Sequence, residues 1–488
     1  MTQNIWKEVV INPQEKTPLY KQISNQIELL VHDGQLKPGF RLPSERTMAK
    51  LLNVSRMTIT LANEEMKMKG IVRSHQGSGT FILRGTRLKE KEVQLDNPVD
   101  FAYPTGEINH GMDEIMSLGQ DQSLINLGGV GAAPEVHPGI EFSQCFAEHL
   151  RRNPVLLQLP SPTQGYEPLR LEMINWLKKV GVTAELNEIM MVSGAMQGLD
   201  LISRLFLKPG DFVIMEEPGF LAAADAFTAT GAKILRITLD EEGIRLDSLE
   251  NMLMQFPVKF IYVNPTFQNP TGITMSLERR KQLLHLAKKY GVFIVEDDPF
   301  SLLYYSEKPD PPIQTLGSDH VIYIQSFSKY LYPELRVAVL VASEGIIRHL
   351  SKIKQRVDLH SNNLTQIALH AYITGGLLET HIQKLRYGYA QRLKEVQLRV
   401  KASSFLHCQI PKGGVFLWCR IPKEVPAERL LEVAVKKGLT FVPGNWMSGV
   451  GLYDHHIRLA FTHPSHEGLK KGLDLISDAI SAYKAYQF

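Results

Sequence analysis

Cysteine is scarce. The 488 residues carry three, Cys145, Cys408 and Cys419, and no two of them form a CxxC pair. An odd, scattered set excludes a disulfide scaffold and a thiolate metal knuckle, and fits reduced core thiols in a cytoplasmic protein. Long apolar runs are missing as well. No stretch of about 18 apolar residues occurs, so no membrane span is expected. The opening MTQNIWKEVV lacks the basic-then-apolar order of a secretory leader. Charge of one sign is not in excess either: the net charge is +3, too small to attract a polyanion to the whole chain, so any nucleic-acid surface must be local. His360, His455, His456 and His463 have no ligand spacing, and no metal is expected. What remains is ordinary globular composition, 44% hydrophobic and 22% charged, in a chain too long for a single core.

Residues 1–83 read as a small α+β module. Ile23, Ile27, Leu30 and Val31 have helical spacing after Pro18. Ser44 is placed to cap a second helix carrying Met48, Leu51 and Leu52, and Ser55 a third that runs to Gly70. The stretch IVRSHQGSGTFIL gives two short strands around Gly77-Ser78-Gly79. Helix, helix-turn-helix and hairpin make a winged helix-turn-helix. In that arrangement the start of the last helix enters the major groove. Arg56 can pair with guanine and Thr58 can touch a base edge or phosphate. Arg46 suits a backbone phosphate, and Gly77 lets the wing approach the minor groove. Each residue alone reads equally well as solvated surface; the set together does not. The words LPSER, NVSR and QGSGTF, in this order, resemble the GntR-type winged helix over residues 15–83. The resemblance places Arg46, Arg56, Thr58 and Gly77 at DNA.

Residues 84–124, dense in charge and turn formers, read as a linker with a span of roughly 35 Å if flexible. Residues 125–488 alternate β-branched runs, such as 212–215, 260–263 and 292–295, with helical segments. That pattern indicates an α/β domain with a mostly parallel sheet.

The stretch QSFSKYLYPELR sets small hydroxyls, Lys329 and Arg336 close together, which suits a phosphorylated aldehyde held covalently. Pyridoxal phosphate needs a lysine, a carboxylate at its ring nitrogen, donors for its phosphate, a flat neighbour and a partner for its ring oxygen. Lys329 supplies the amine and Asp297, beside Asp298, the carboxylate. The Ser193-Gly194-Ala195 turn, Ser326, Ser328 and Arg336 supply the phosphate donors, Phe220 the ring face and Asn269 the oxygen partner. Arg458, in HIRLAF, can clamp a substrate carboxylate. The order and wording of these motifs, with GYEPLR and PKGGVFLW, resemble fold-type I aminotransferases over residues 125–485. The resemblance implies that Lys329 forms the internal aldimine and that the other residues hold the roles just given.

The two modules in this order resemble the MocR/GabR-type transcription regulators. That resemblance implies a cytoplasmic, head-to-tail homodimer on a double-stranded DNA operator, with pyridoxal phosphate bound and an amino acid or amine as effector, exchanged at Lys329. Two positions depart from the aminotransferase pattern. Phe300 stands where a tyrosine donates to the ring oxygen, and Leu159 or Pro160 where another tyrosine reaches the neighbouring subunit. Weak or absent transaminase turnover is therefore expected. The alternatives are a working aminotransferase with a tethered DNA module and a regulator that senses pyridoxal phosphate itself.

Overall fold

The computed structural model describes residue 6 and residues 9–12, 17–32, 35–37, 39–69, 71–75, 79–82, 110–129, 131–136, 139–158 and 161–485. The chain divides into two units, Met1–Asp100 and Phe101–Phe488. Gly70, the wing residue Gly77, Leu159, Pro160 and most of the span read as a linker lie outside the described residues.

Serines set two helix starts in the first unit. Helices α1 (Leu19–His32), α2 (Glu45–Leu51) and α3 (Arg56–Met68) precede an antiparallel hairpin of β1 (Val72–His75) and β2 (Gly79–Ile82). Ser44 Oγ accepts from the Thr47 amide at 3.2 Å and Ser55 Oγ from the Thr58 amide at 3.1 Å, each cap contributing about 1 kcal/mol. Asn53, between α2 and α3, takes a φ of +51°, a left-handed turn that asparagine tolerates. Ile23 and Ile27 of α1, Met48 of α2, and Ile59, Ala62 and Met66 of α3 close the core against Val72 and Ile82. Leu51 faces solvent instead.

The span read as a linker contains an ordered piece. Residues His110–Gln120 form a helix, because Ile115 and Leu118 give this piece an apolar stripe that the charge-rich 84–100 region lacks.

The second unit is built on an eight-stranded sheet. Its strands are β3 (Ile189–Val192), β4 (Phe212–Glu217), β5 (Lys233–Asp240), β6 (Gly243–Ile244), β7 (Val258–Val263), β8 (Phe293–Asp298), β9 (Val321–Ser326) and β10 (Ala338–Val341). They lie in the order β3-β10-β9-β8-β7-β4-β5-β6. Neighbours from β9 to β5 pair in parallel, whereas β10 runs against both β9 and β3. Every residue of β3, β9 and β10 is buried, which is why these strands read as continuous apolar runs. A smaller antiparallel sheet, with β11 (His407–Cys408), β12 (Phe416–Arg420), β13 (Val442–Pro443) and β14 (His456–Ala460), follows a 26-residue helix, Leu377–Ala402.

All three cysteines are free thiols: Cys419 is buried in the core, Cys145 and Cys408 are half-buried against it, and Cys408 sits directly opposite Cys419 across the β11–β12 pair. Strand pairing brings together residues that chain distance kept apart. Among the described residues no helix is long and apolar enough to cross a membrane, and no cluster of metal-ligating side chains occurs.

Candidate cofactor and effector site

The parallel strands deliver the candidate residues to one edge of the large sheet. The carboxyl ends of β3, β8 and β9 lead to Ser193, Asp297 and Ser326, and that of β7 into the loop with Asn269. Because β10 runs the other way, Arg336 just before it reaches the same edge. Ligands of open α/β sheets bind at this edge.

Helix α4 (Ala195–Phe206) begins there with Gly194 as its N-cap. Gly194 has a φ of +78°, and a Cβ on it would lie 2.7 Å from Arg336 Nη2. Arg336 also donates to Ser193 O at 3.4 Å. The Ser193 amide donates to Gln197 Oε1 at 2.8 Å, and Gln197 donates to Asp358 Oδ2 at 2.7 Å, so the turn is held from behind. A helix start beside a guanidinium is an anion cradle. Ala195 adds a backbone donor but no hydroxyl. Ser326 Oγ accepts from the Ser328 amide at 3.3 Å, and Ser328 Oγ is buried without a hydrogen bond.

The two adjacent aspartates part company because side chains alternate along a strand. Asp298 accepts from Tyr323 Oη at 2.5 Å and from the Ser301 amide at 2.9 Å. Asp297 Oδ2 accepts from Tyr262 Oη at 2.7 Å, whereas Oδ1 is buried with no partner. Burial pushes Asp297 up to about 6, opposed by the Tyr262 hydrogen bond, and Asp298 and Lys329 act in opposite directions on it. Lys329 is held down at about 8, first by burial, then by Arg458 and Arg336, against the pull of Asp297. An amine of that pKa is available as a nucleophile close to neutral pH.

Arg458, on β14, is buried. It donates to Asn269 Oδ1 at 3.1 Å and Gly128 O at 2.7 Å, and its guanidinium lies 4.3 Å over the Phe416 ring. Its Nε has no partner, and no carboxylate pairs with it among the described residues. Burial pulls it down to about 9; a guanidinium that stays charged there carries a desolvation cost that a ligand carboxylate would offset. Phe300 is buried edge-on against Phe416, ring centroids 5.6 Å apart, and offers no donor. Phe220, half-buried, caps the helix Leu221–Thr228.

These residues fit pyridoxal phosphate. The orphaned Asp297 Oδ1 suits a protonated ring nitrogen, the Gly194 turn with Arg336 and Ser328 suits a phosphate, and Lys329 supplies the amine. Reading the sequence missed Tyr262, Gln197, Gly128 and Phe416. It also missed Glu216, which accepts from the Asn264 amide at 3.1 Å and Gln268 Nε2 at 3.2 Å and is pushed up to about 7 by burial. Tyr262 had left one signal: in FIYVN it is a hydroxyl-bearing residue two positions before Asn264 in an otherwise apolar run.

In the N-terminal unit, Arg56 is the first residue of α3, with a side chain 75% exposed and Nε 3.4 Å from Glu45. Arg46 is exposed on α2. Thr58 is half-buried, and its hydroxyl lies 2.8 Å from Ser55 Oγ, so it helps hold the helix start.

Comparisons with known proteins follow this division. Residues 19–82 match the bacterial regulatory proteins of the gntR family, and residues 155–476 match aminotransferase class I and II. Aromatic-amino-acid aminotransferase 1 of Thermococcus litoralis is 35% identical over 81% of this chain and 97% of its own. YdfD of Bacillus subtilis, named as an uncharacterized HTH-type transcriptional regulator, is 31% identical over 94% of this chain and 95% of its own. Among solved structures, Pyrococcus horikoshii kynurenine aminotransferase, in complex with PMP, superposes with a TM-score of 0.72 at 34% identity, over 76% of this chain and 94% of that one. The cofactor is pyridoxal phosphate, and the chain belongs to the MocR-type transcription regulators, a GntR-type winged helix joined to a fold-type I aminotransferase domain.

Proposed function

We propose that this regulator senses a small amino acid or amine at Lys329 and passes the result to its DNA module. The observation that carries the reading is Arg458, a buried cation without a carboxylate partner among the described residues, which adds to burial in lowering the pKa of Lys329. Bound pyridoxal phosphate supplies an aldehyde carbon that exchanges one amine for another. Lys329 is its covalent anchor. Asp297 Oδ1 holds the ring nitrogen, Phe220 the ring face and Asn269 the ring oxygen. Ser193, Gly194, Ala195, Ser326, Ser328 and Arg336 hold the phosphate. Lys329 Nζ would be the amine that a ligand amine replaces, and Arg458 would take the ligand's carboxylate. Phe300 brings no hydroxyl for proton transfer, which favours an effector that stays bound over one that is converted. Arg46, Arg56, Thr58 and Gly77 are the proposed contacts to the operator, read by a cytoplasmic homodimer as two half-sites. An effector shifts that reading only through unequal affinity for two states of the protein.

A second reading, a working aminotransferase, draws support from the aminotransferase relatives and from the retained Lys329, Asp297, Asn269, Arg336 and Arg458. The readings separate on a duplex selected by the purified protein from a random pool. Lys329→Ala is expected to bind that duplex as well as the native protein and to ignore every amine that alters native binding. Loss of basal DNA binding in Lys329→Ala would count against the sensor.

A further inference from the structure

Away from the cofactor site, a cavity of about 220 Å³ opens between the helix Glu167–Lys178, the loop after β8 and the long helix Leu377–Ala402. Its charged groups are unevenly matched. Glu379 is taken by Lys179 Nζ at 2.7 Å, and Asp310 accepts from the Leu277 amide at 3.1 Å. Arg386 is fixed by its Nε, which donates to Leu302 O at 2.7 Å, and by its guanidinium lying 3.8 Å over the Tyr304 ring. Neither terminal nitrogen of Arg386 bonds a protein group among the described residues. Nearby, Ser301 is 7% exposed, and its Oγ is buried against the neighbouring Tyr330 Oη, the one polar group it meets. A guanidinium fork at a cavity that a serine also lines is a receptor for a planar anion. Apolar lining comes from Trp176 and Val180, with Lys179 Nζ 5.2 Å over the Trp176 ring, and from Ile382, one turn before Arg386 on the same helix.

We infer that this cavity is a second ligand site, for a small monocarboxylate with an aromatic or branched apolar body, bound through Arg386 and Ser301. The inference does not rest on amine sensing at Lys329. Its two walls are joined by hydrogen bonds running directly behind the cofactor residues. Trp176 Nε1 donates to Gln325 Oε1 at 2.9 Å, and Gln325 Nε2 to Tyr323 Oη at 3.2 Å. Tyr323 Oη donates to Asp298 Oδ2 at 2.5 Å, and Asp298 Oδ1 accepts from the Ser301 amide at 2.9 Å. Gln325 precedes Ser326 and Asp298 follows Asp297. A ligand that moves Trp176 or Ser301 therefore acts on the strand ends that carry Ser326 and Asp297.

The test is a titration of the cofactor-loaded, full-length protein with phenylacetate, which has neither amine nor carbonyl, read by tryptophan fluorescence. A saturable change is expected, since Trp176 lines the cavity. It should weaken about tenfold or more in Arg386→Lys, which keeps the charge but loses the fork, and in Ser301→Ala. Arg458→Met should leave it unchanged. Absence of a saturable signal would overturn the inference, as would equal binding by both cavity variants or loss of binding in Arg458→Met. Should Arg386→Lys fail to fold, Ser301→Ala decides alone. Inorganic phosphate saturating at the same concentrations would refute the apolar half of the assignment.

Discussion

Replacing Arg458 by methionine separates two consequences that most substitutions in a binding site confound. The guanidinium makes two hydrogen bonds, to Asn269 Oδ1 and Gly128 O, each with a charged donor and so worth about 1.5–3 kcal/mol. Against their loss stands the cost of holding an unpaired cation in the interior, several kcal/mol after relaxation. Methionine has similar length, keeps contact with the Phe416 ring and removes the charge. The opposing quantities are of the same size, so the ligand-free variant should lie within about 2 kcal/mol of the native protein. In a domain this large that moves the melting temperature by only a few degrees. Amino-acid binding should behave differently. A desolvated guanidinium–carboxylate pair lost on one side costs about 2–5 kcal/mol, so affinity for an amino acid should fall at least about thirtyfold. The decarboxylated amine of the same skeleton should be affected far less. The assay is a pair of visible-band titrations, amino acid against amine, beside a thermal melt. Equal weakening of both ligands would refute the carboxylate role. A melt lowered by tens of degrees would refute the energetic argument, because it would mean that the cation is needed for the fold.

Three further outcomes are expected. Arg56→Ala should cost about 1–3 kcal/mol of specific DNA affinity in a gel-shift titration while the protein keeps its yellow colour and its melting temperature, since Arg56 is largely exposed. Gly194→Ala should fold but bind the cofactor at least about tenfold more weakly in reconstitution of the cofactor-free protein, because a φ of +78° strains alanine and its Cβ would push the Arg336 guanidinium, 2.7 Å away at Nη2, out of the phosphate cradle. Lys329 is held at about 8 in the folded chain against an ordinary 10.5. Between those values the unfolded chain binds the extra proton, so the cofactor-free protein should gain stability as pH rises through that window; urea unfolding should show the gain, and Lys329→Met should remove it.

What could be read from the sequence was what is local. Ser44 and Ser55 announce their helices because a cap lies next to the turn it satisfies, and Lys329 and Asp297 stand in short words at strand ends. Phe300 was legible as a missing donor but not as a side chain packed edge-on against Phe416, a contact made 116 positions away. The same holds for Arg458, whose partner Gly128 lies 330 residues earlier, and for the Tyr262–Asp297 hydrogen bond. These pairs exist only once β7 and β8 lie side by side and the small sheet meets the segment around Gly128. The helix His110–Gln120 escaped notice for the opposite reason: its apolar stripe is short and stands beside a charge-rich run.

The central claim, that Lys329 exchanges amines in the service of regulation, is tested most directly by the visible spectrum of the purified protein during addition of amino acids and amines. The account predicts a yellow band that shifts with one ligand and then holds. A band that bleaches stoichiometrically to the pyridoxamine form and returns with a keto acid would contradict it and identify a working aminotransferase.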